Sequence, residues 1–241
     1  MTKNIIVLQH IPIETPGYLL DLMKQDKYNI TTIELDNGEK IPENLSHFDA
    51  MFCMGGPMDT WMEEQHYWLV EEKKKIKEYV VNLKKPYLGF CLGCQLLGEV
   101  LGGNVTKSNP PEIGILKIKM SKSKDDDLLF SEFSNNIKAL QWHSYEVNNL
   151  ENNKDVTILG SSNTTKYQIF RYMHHAYGIQ FHIEIKDDTV EQWSCVPEYE
   201  KALEDSLGAG ALEKFDKNAK MYMREMNLSA EILYRNFKKL I

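Results

Sequence analysis

Residues 86–97 read PYLGFCLGCQLL. A short apolar run meets a helix-like run, Cys91 stands at the junction, and glycines flank it at positions 89 and 93. The pair Cys91–Cys94 admits two incompatible readings. One is a Cys-x-x-Cys redox pair or half of a metal site. The other is a Gly-x-Cys-x-Gly turn that raises Cys91 as a nucleophile. Position does not separate them, because redox pairs also sit at helix N-termini. The glycines do, since a redox pair has no need of both. Zinc would need a second ligand pair, and only scattered histidines and the isolated Cys53 and Cys195 are at hand. A sharp strand-to-helix turn strains its central residue and tolerates little bulk two residues to either side. Cys91 is therefore read as the nucleophile and Cys94 as a small buried packing residue.

Upstream of this turn, strand-like and helix-like runs alternate. NIIVLQ (4–9), NITTIEL (29–35) and AMFCM (50–54) read as strands, joined by Pro86–Phe90 as the fourth. Helical patterns span 16–27, 67–83 and 94–101. Strands alternating with helices imply right-handed βαβ units and a mostly parallel sheet. Downstream, 114–120, 137–141, 156–159, 167–170 and 178–181 follow without helices between them, which predicts antiparallel strands added to the sheet. SKSKDDD (121–127) reads as a solvated loop, and the chain turns helical after Asp187. The expected architecture is α/β with three layers and a mostly parallel central sheet, carrying added antiparallel strands and C-terminal helices. One domain is expected over 1–241, with a core to about 187 and a helical extension over 188–241.

In such sheets the carboxyl ends of the strands face ligands. A helix N-terminus behind Cys91 favours a thiolate and can hold an oxyanion. The N–H of Leu92 is the natural first oxyanion donor, and Gly55-Gly56, at the end of a neighbouring strand, could present the second. A thiolate wants a histidine, and the histidine an orienting acid. His10, His47, His66 and His174-His175 fall in loops, turns or helix starts, where solvation or local bonding is the expectation. His182 differs: GIQFHIEI (178–185) places Glu184 two residues on, the same side of an extended strand.

Bulk properties narrow the partners. The chain has 241 residues, 42% hydrophobic and 26% charged, with 28 basic against 35 acidic side chains and a formal net charge of −7. That balance argues against nucleic acid or an anionic membrane. No basic-then-apolar leader follows Met1, no apolar run nears roughly 18 residues, and the four cysteines suit free thiols in a reducing compartment. A cytoplasmic protein is expected.

With Gly55-Gly56-Pro57, PYLGFCLGCQLL and GIQFHIEI in this order, the chain resembles the class I (triad-type) glutamine amidotransferases, whose sheet is flavodoxin-like. It is most similar to free-standing members like the amidotransferase half of GMP synthetase and plant γ-glutamyl peptidases. The resemblance runs from the first strand to about Asp187. It implies that Cys91 attacks the γ-carbonyl of a glutamine-like substrate, that His182 shuttles the proton and that Glu184 orients His182. It further implies Gly56 and Leu92 as the oxyanion hole and Gln95 against the substrate amide. Glu112, Gly114, His143 and Ser144 fall where the family binds the α-amino and α-carboxylate groups. No cofactor or metal is implied. Many relatives carry proline where this chain has Ile183, and either keeps the extended geometry. The DJ-1/PfpI type has a histidine directly after its cysteine, where this chain has Leu92. No synthetase domain follows in this sequence. The leading expectation is cleavage of a γ-glutamyl amide in a small molecule. The alternative is a glutaminase subunit that passes ammonia to a synthetase in trans, and a non-catalytic binding protein would not need all three residues.

Overall fold

The computed structural model describes residues 2–241. The chain runs β1 (Asn4–Gln9), α1 (Gly17–Gln25), β2 (Asn29–Glu34), β3 (Ala50–Cys53), α2 (Trp68–Lys77), β4 (Tyr87–Phe90) and α3 (Leu92–Val100). It continues through β5 (Asn104–Met120), β6 (Asn136–Asn148), β7 (Val156–Ser161), β8 (Ile169–Tyr172) and β9 (Ala176–Ile179). It then enters α4 (Thr189–Ser194), α5 (Pro197–Leu207) and α6 (Ala211–Phe237). Among these residues nine strands form one sheet in the order β2-β1-β3-β4-β9-β8-β7-β5-β6.

The half from β2 to β9 is parallel and the rest antiparallel, as the alternation of helices and then its loss predict. Successive side chains of a strand face opposite ways, and both faces here are buried. Ile5, Val7, Phe52 and Phe90 join one core with α1 and α6, and Phe237 meets Phe52 edge-on at 5.2 Å. Ile6, Leu8, Met51 and Cys53 join the other with Leu69 and Ile76 of α2 and Leu96 and Leu97 of α3. Helix α6 is thus one of the layers, tied to α1 by the Tyr18 hydroxyl on Glu231 at 2.6 Å.

The sheet curls. Leu140 of β6, the last strand in the order, pairs with His182 just beyond β9 through two backbone bonds of 3.0 and 2.9 Å. That closure brings residues 141–145 to the carboxyl ends of β3, β4 and β9.

Several elements differ from the sequence expectation. The strands expected at 114–120 and 137–141 are parts of one long β5–β6 hairpin whose register breaks between Lys107 and Glu112. Pro110 and Pro111 sit in that break and have no N–H to give a ladder. The helix expected to Leu83 is α-helical only to Lys77 and closes as one π turn, Glu78–Asn82, with Leu83 N bonded to Glu78 O at 2.9 Å. The last strand, expected to run to Phe181, ends at Ile179, and Gln180 N–H still reaches Gln168 O at 2.9 Å in the β8–β9 register. Asp127, in the segment expected to be solvated, is buried. It accepts the N–H groups of Leu129 and Phe130 and pairs with Arg171 at 2.6 Å, which satisfies its charge inside the core.

Candidate functional site

Cys91 ends β4 and caps α3 with φ 48° and ψ −103°, a backbone state that costs an ordinary residue about 1–3 kcal/mol unless its surroundings enforce it. The surroundings here do. Cys91 N–H is held by Ile179 O of the neighbouring strand at 2.9 Å, and its carbonyl accepts from Gln95 N at 3.1 Å. Gly93 N–H bonds Met54 O at 3.1 Å, which seats α3 on the end of β3. The two framing glycines are there for contact. A Cβ on Gly93 would stand 2.1 Å from the Cys53 carbonyl oxygen, and one on Gly89 would stand 2.4 Å from the Gly93 carbonyl oxygen. Cys94 is fully buried beside Gly178, and burial pushes its thiol well above the usual range, as suits packing and not redox exchange.

His182 Nδ1 and Glu184 Oε1 are 2.6 Å apart, and Glu184 Oε2 accepts the Ile183 N–H at 2.9 Å. The pair is not the same-face pair of a strand, because β9 has already ended; the backbone pairing of His182 with Leu140 holds it instead. Burial lowers the His182 pKa, but the Glu184 carboxylate and a hydrogen bond with Cys91 outweigh it and raise it well above the usual imidazole value. Trp193 of α4 packs edge-on against the His182 ring at 4.6 Å. Behind them Glu14 is buried, with Oε1 bonded by the Tyr199 hydroxyl at 2.6 Å and Oε2 without a partner among the described residues. Burial raises the Glu14 carboxyl above its usual range against the opposing pull of His182.

Cys91 opens on a cavity of about 810 Å³. Gly56, Gln95, His143 and Ser144 line it with Cys91; so do Met58, Ile113, Trp142, Tyr145 and, from α5, Tyr199 and Lys201. Gln95 Nε2 donates to Tyr145 O at 3.1 Å and to Gln180 Oε1 at 3.3 Å, while Gln180 Nε2 lies 3.7 Å from Cys91 Sγ. Glu112 and Gly114 do not line the cavity. Glu112 is enclosed by donors: Gln168 and Thr164 bond its carboxylate, and His143 Nε2 lies 3.2 Å from Oε2. Burial raises this carboxyl, but the bonds from His143, Ser162 and Thr164 outweigh it and hold it down at about 2.

Sequence reasoning missed Glu14, Gln180, Trp193 and Tyr199. It also treated His10 as a loop residue, whereas His10 is fully buried. Its Nδ1 lies 2.8 Å from Gly55 O and its Nε2 2.9 Å from Glu72 Oε1. His10, Cys53 and Glu72 are the described group with metal-binding chemistry, their donor atoms lying within 4.8 Å of one another. Hydrogen bonds among them already use those atoms. Trp61 and Tyr67 are exposed, and Trp61 stacks edge-on with cavity residue Tyr145 at 4.8 Å.

The family model described as "Glutamine amidotransferase class-I" matches residues 19–192. The glutamine amidotransferase-like protein YfeJ of Salmonella typhimurium is 30% identical over 185 residues, 76% of each chain. One subunit of the glutamine-hydrolyzing GMP synthase of Sulfurisphaera tokodaii is 33% identical over 169 residues, 68% of this chain and 82% of its own. Among solved structures, a glutamine amidotransferase from Thermotoga maritima superposes with a TM-score of 0.86 over 98% of both chains at 24% identity, a likeness of fold.

Proposed function

Because the chain belongs to the class I glutamine amidotransferases, we propose that it cleaves a γ-glutamyl amide bond through a thioester on Cys91. The observation that carries this is the strained Cys91 at the helix N-terminus beside a buried histidine–carboxylate pair of 2.6 Å. The Cys91 thiolate attacks the γ-carbonyl carbon, and the N–H groups of Gly56 and Leu92 receive the charge that develops on oxygen. As the C–N bond breaks, His182 gives its proton to the leaving amine. Water then enters, His182 takes its proton, the C–S bond breaks and glutamate leaves with Cys91 regenerated. Glu184 keeps the imidazole in the tautomer and orientation both transfers need. Trp193, edge-on to the ring at 4.6 Å, supports that orientation.

His143 and Ser144 in the cavity wall suit the α-amino and α-carboxylate groups, with Glu112 fixing the His143 ring from behind. The cavity lies within the roughly 300–1,000 Å³ of sites that take drug-sized ligands. It therefore has room for a leaving group larger than ammonia, against Trp142, Tyr145 and Tyr199. The likeness to a GMP synthase chain favours a second reading, in which the protein feeds ammonia to a synthetase in trans.

The test is glutamate release from L-glutamine and a panel of γ-glutamyl amides and peptides by the purified chain, with Cys91→Ala and Cys94→Ala alongside. Release that survives Cys94→Ala and disappears with Cys91→Ala is expected, the best substrate naming the leaving group. Equal loss in both variants would return the cysteine pair to redox chemistry. Release that needs an added synthetase would select the second reading.

A further inference from the structure

An oxyanion donor must present its N–H to the reacting centre before the charge develops, and the peptide between Gly55 and Gly56 could in principle face either way. What fixes it lies behind the site. The Gly55 carbonyl is 2.8 Å from His10 Nδ1. A carbonyl only accepts, so Nδ1 carries the proton. In a trans peptide the C=O and the following N–H point in opposite directions, which turns the Gly56 N–H away from His10 and the core. Gly56 lines the cavity with Cys91, and its N–H has no backbone acceptor among the described residues. The fit is close on the core side too, where a Cβ on Gly56 would meet His10 Cβ at 3.0 Å.

His10 is itself held. Its Nε2 lies 2.9 Å from Glu72 Oε1, the Cys53 thiol donates to the same oxygen at 3.3 Å, and the ring stacks on Trp68 with centroids 5.4 Å apart. His10 and Glu72 are fully buried, and Glu72 Oε2 has no partner among the described residues. Burying a carboxylate oxygen unpaired is costly, and an apolar pair of the same volume would fill the space more cheaply. Packing alone does not account for these residues.

We propose that His10 and Glu72 form a positioning pair for the oxyanion hole: Glu72 anchors the His10 ring, and the ring's Nδ1–H holds the Gly55 carbonyl so that the Gly56 N–H faces Cys91. Neither residue touches the substrate. The inference rests on the reading of Cys91 as nucleophile.

The experiment compares glutamate release with the rate of Cys91 alkylation by iodoacetamide in wild type, His10→Asn, His10→Gln and Cys91→Ala. An asparagine amide nitrogen falls near the place of Nδ1, whereas glutamine's falls near Nε2. His10→Asn should keep kcat within about tenfold, while His10→Gln should lose about 10²–10³-fold, the scale for one oxyanion donor. KM should move little. Alkylation should be unchanged in both, because displacement of iodide creates no oxyanion. Equal kcat in the two variants would overturn the proposal, and so would alkylation that falls in step with kcat. Should His10→Gln not fold, Glu72→Leu carries the comparison: kcat is expected to fall at least about tenfold with alkylation intact, and wild-type kcat would overturn the proposal. Glutamate release that survives Cys91→Ala is a separate result, which would sink the nucleophile reading beneath it.

Discussion

Gly93→Ala perturbs the contact that seats α3, and with it the proposed nucleophile Cys91, on β3. The new Cβ would lie 2.1 Å from the Cys53 carbonyl oxygen and 2.7 Å from its carbon, where real Cβ contacts essentially never fall below 3.0 Å. The obstacle is backbone and has no rotamer to yield. Strand β3 and helix α3 must therefore part by about 1 Å, the shortfall between 2.1 and 3.0 Å. Overpacking of this kind costs about 1–3 kcal/mol, against roughly 1 kcal/mol gained when alanine replaces a helical glycine. A net loss of up to about 2 kcal/mol follows. Cys91 rides on the start of α3 while Gly56 follows the end of β3, so the same displacement separates the proposed nucleophile from its proposed oxyanion donor. A 1 Å misplacement costs about 10²-fold in rate. Gly98→Ala is the control on the same helix, because the nearest atoms to its Cβ belong to the Val147 side chain, from 2.6 Å, and not to the backbone of β3, well down the helix from Cys91. The assay is kcat/KM for glutamate release beside the urea midpoint of each variant. Wild-type rate and stability in Gly93→Ala would refute the argument that α3 is seated on β3 by this contact.

Further outcomes follow from the same geometry. Glu184→Gln removes the charge that holds the His182 pKa up, so the basic limb of kcat/KM should move to lower pH and kcat should fall by about 10²–10⁴-fold; a limb that stays in place counts against the pairing. Glu112 titrates at about 2 in the fold against an ordinary 4.5. Such a carboxylate contributes stability above its unfolded pKa and loses it as pH falls through the folded value. Glu112→Gln should thus lower the denaturation midpoint near neutral pH, with the gap to wild type closing between pH 4.5 and about 2. Asp127→Asn breaks a buried pair with Arg171 and should destabilise by about 3–5 kcal/mol, measured by urea unfolding; a change under about 1 kcal/mol would mean that the Arg171 charge is solvated instead.

The parallel half of the sheet and the turn at Cys91 were legible because both are local. Alternating apolar runs fix β1 to β4, and one cysteine between two glycines marks the turn. The hairpin of β5 and β6 was hidden by Pro110 and Pro111, which read as a break in a strand and occupy the place where its register shifts. The His182–Glu184 pair was found on a partly mistaken ground. Alternation along a strand suggested it, whereas the chain has left the strand and is held by Leu140 from the other end of a curled sheet. His10 and Glu72 are 62 residues apart, and Glu14 meets Tyr199 across 185. Separations of that size leave no periodic trace in a sequence, so these buried polar pairs emerge only from the fold. The role of α4 and α5 was likewise invisible, since nothing in WSCVPEYE announces that Trp193 will lie on His182 and Tyr199 on Glu14.

The proposed chemistry stands on Cys91, not its neighbour Cys94, carrying the glutamyl group. Mass spectrometry of the intact and digested chain, after reaction with a glutamine-like affinity label, decides between the two thiols. One adduct is expected, on Cys91, prevented by excess γ-glutamyl substrate and lost in His182→Ala. An adduct on Cys94, or none on Cys91 while glutamate is being released, would contradict the assignment.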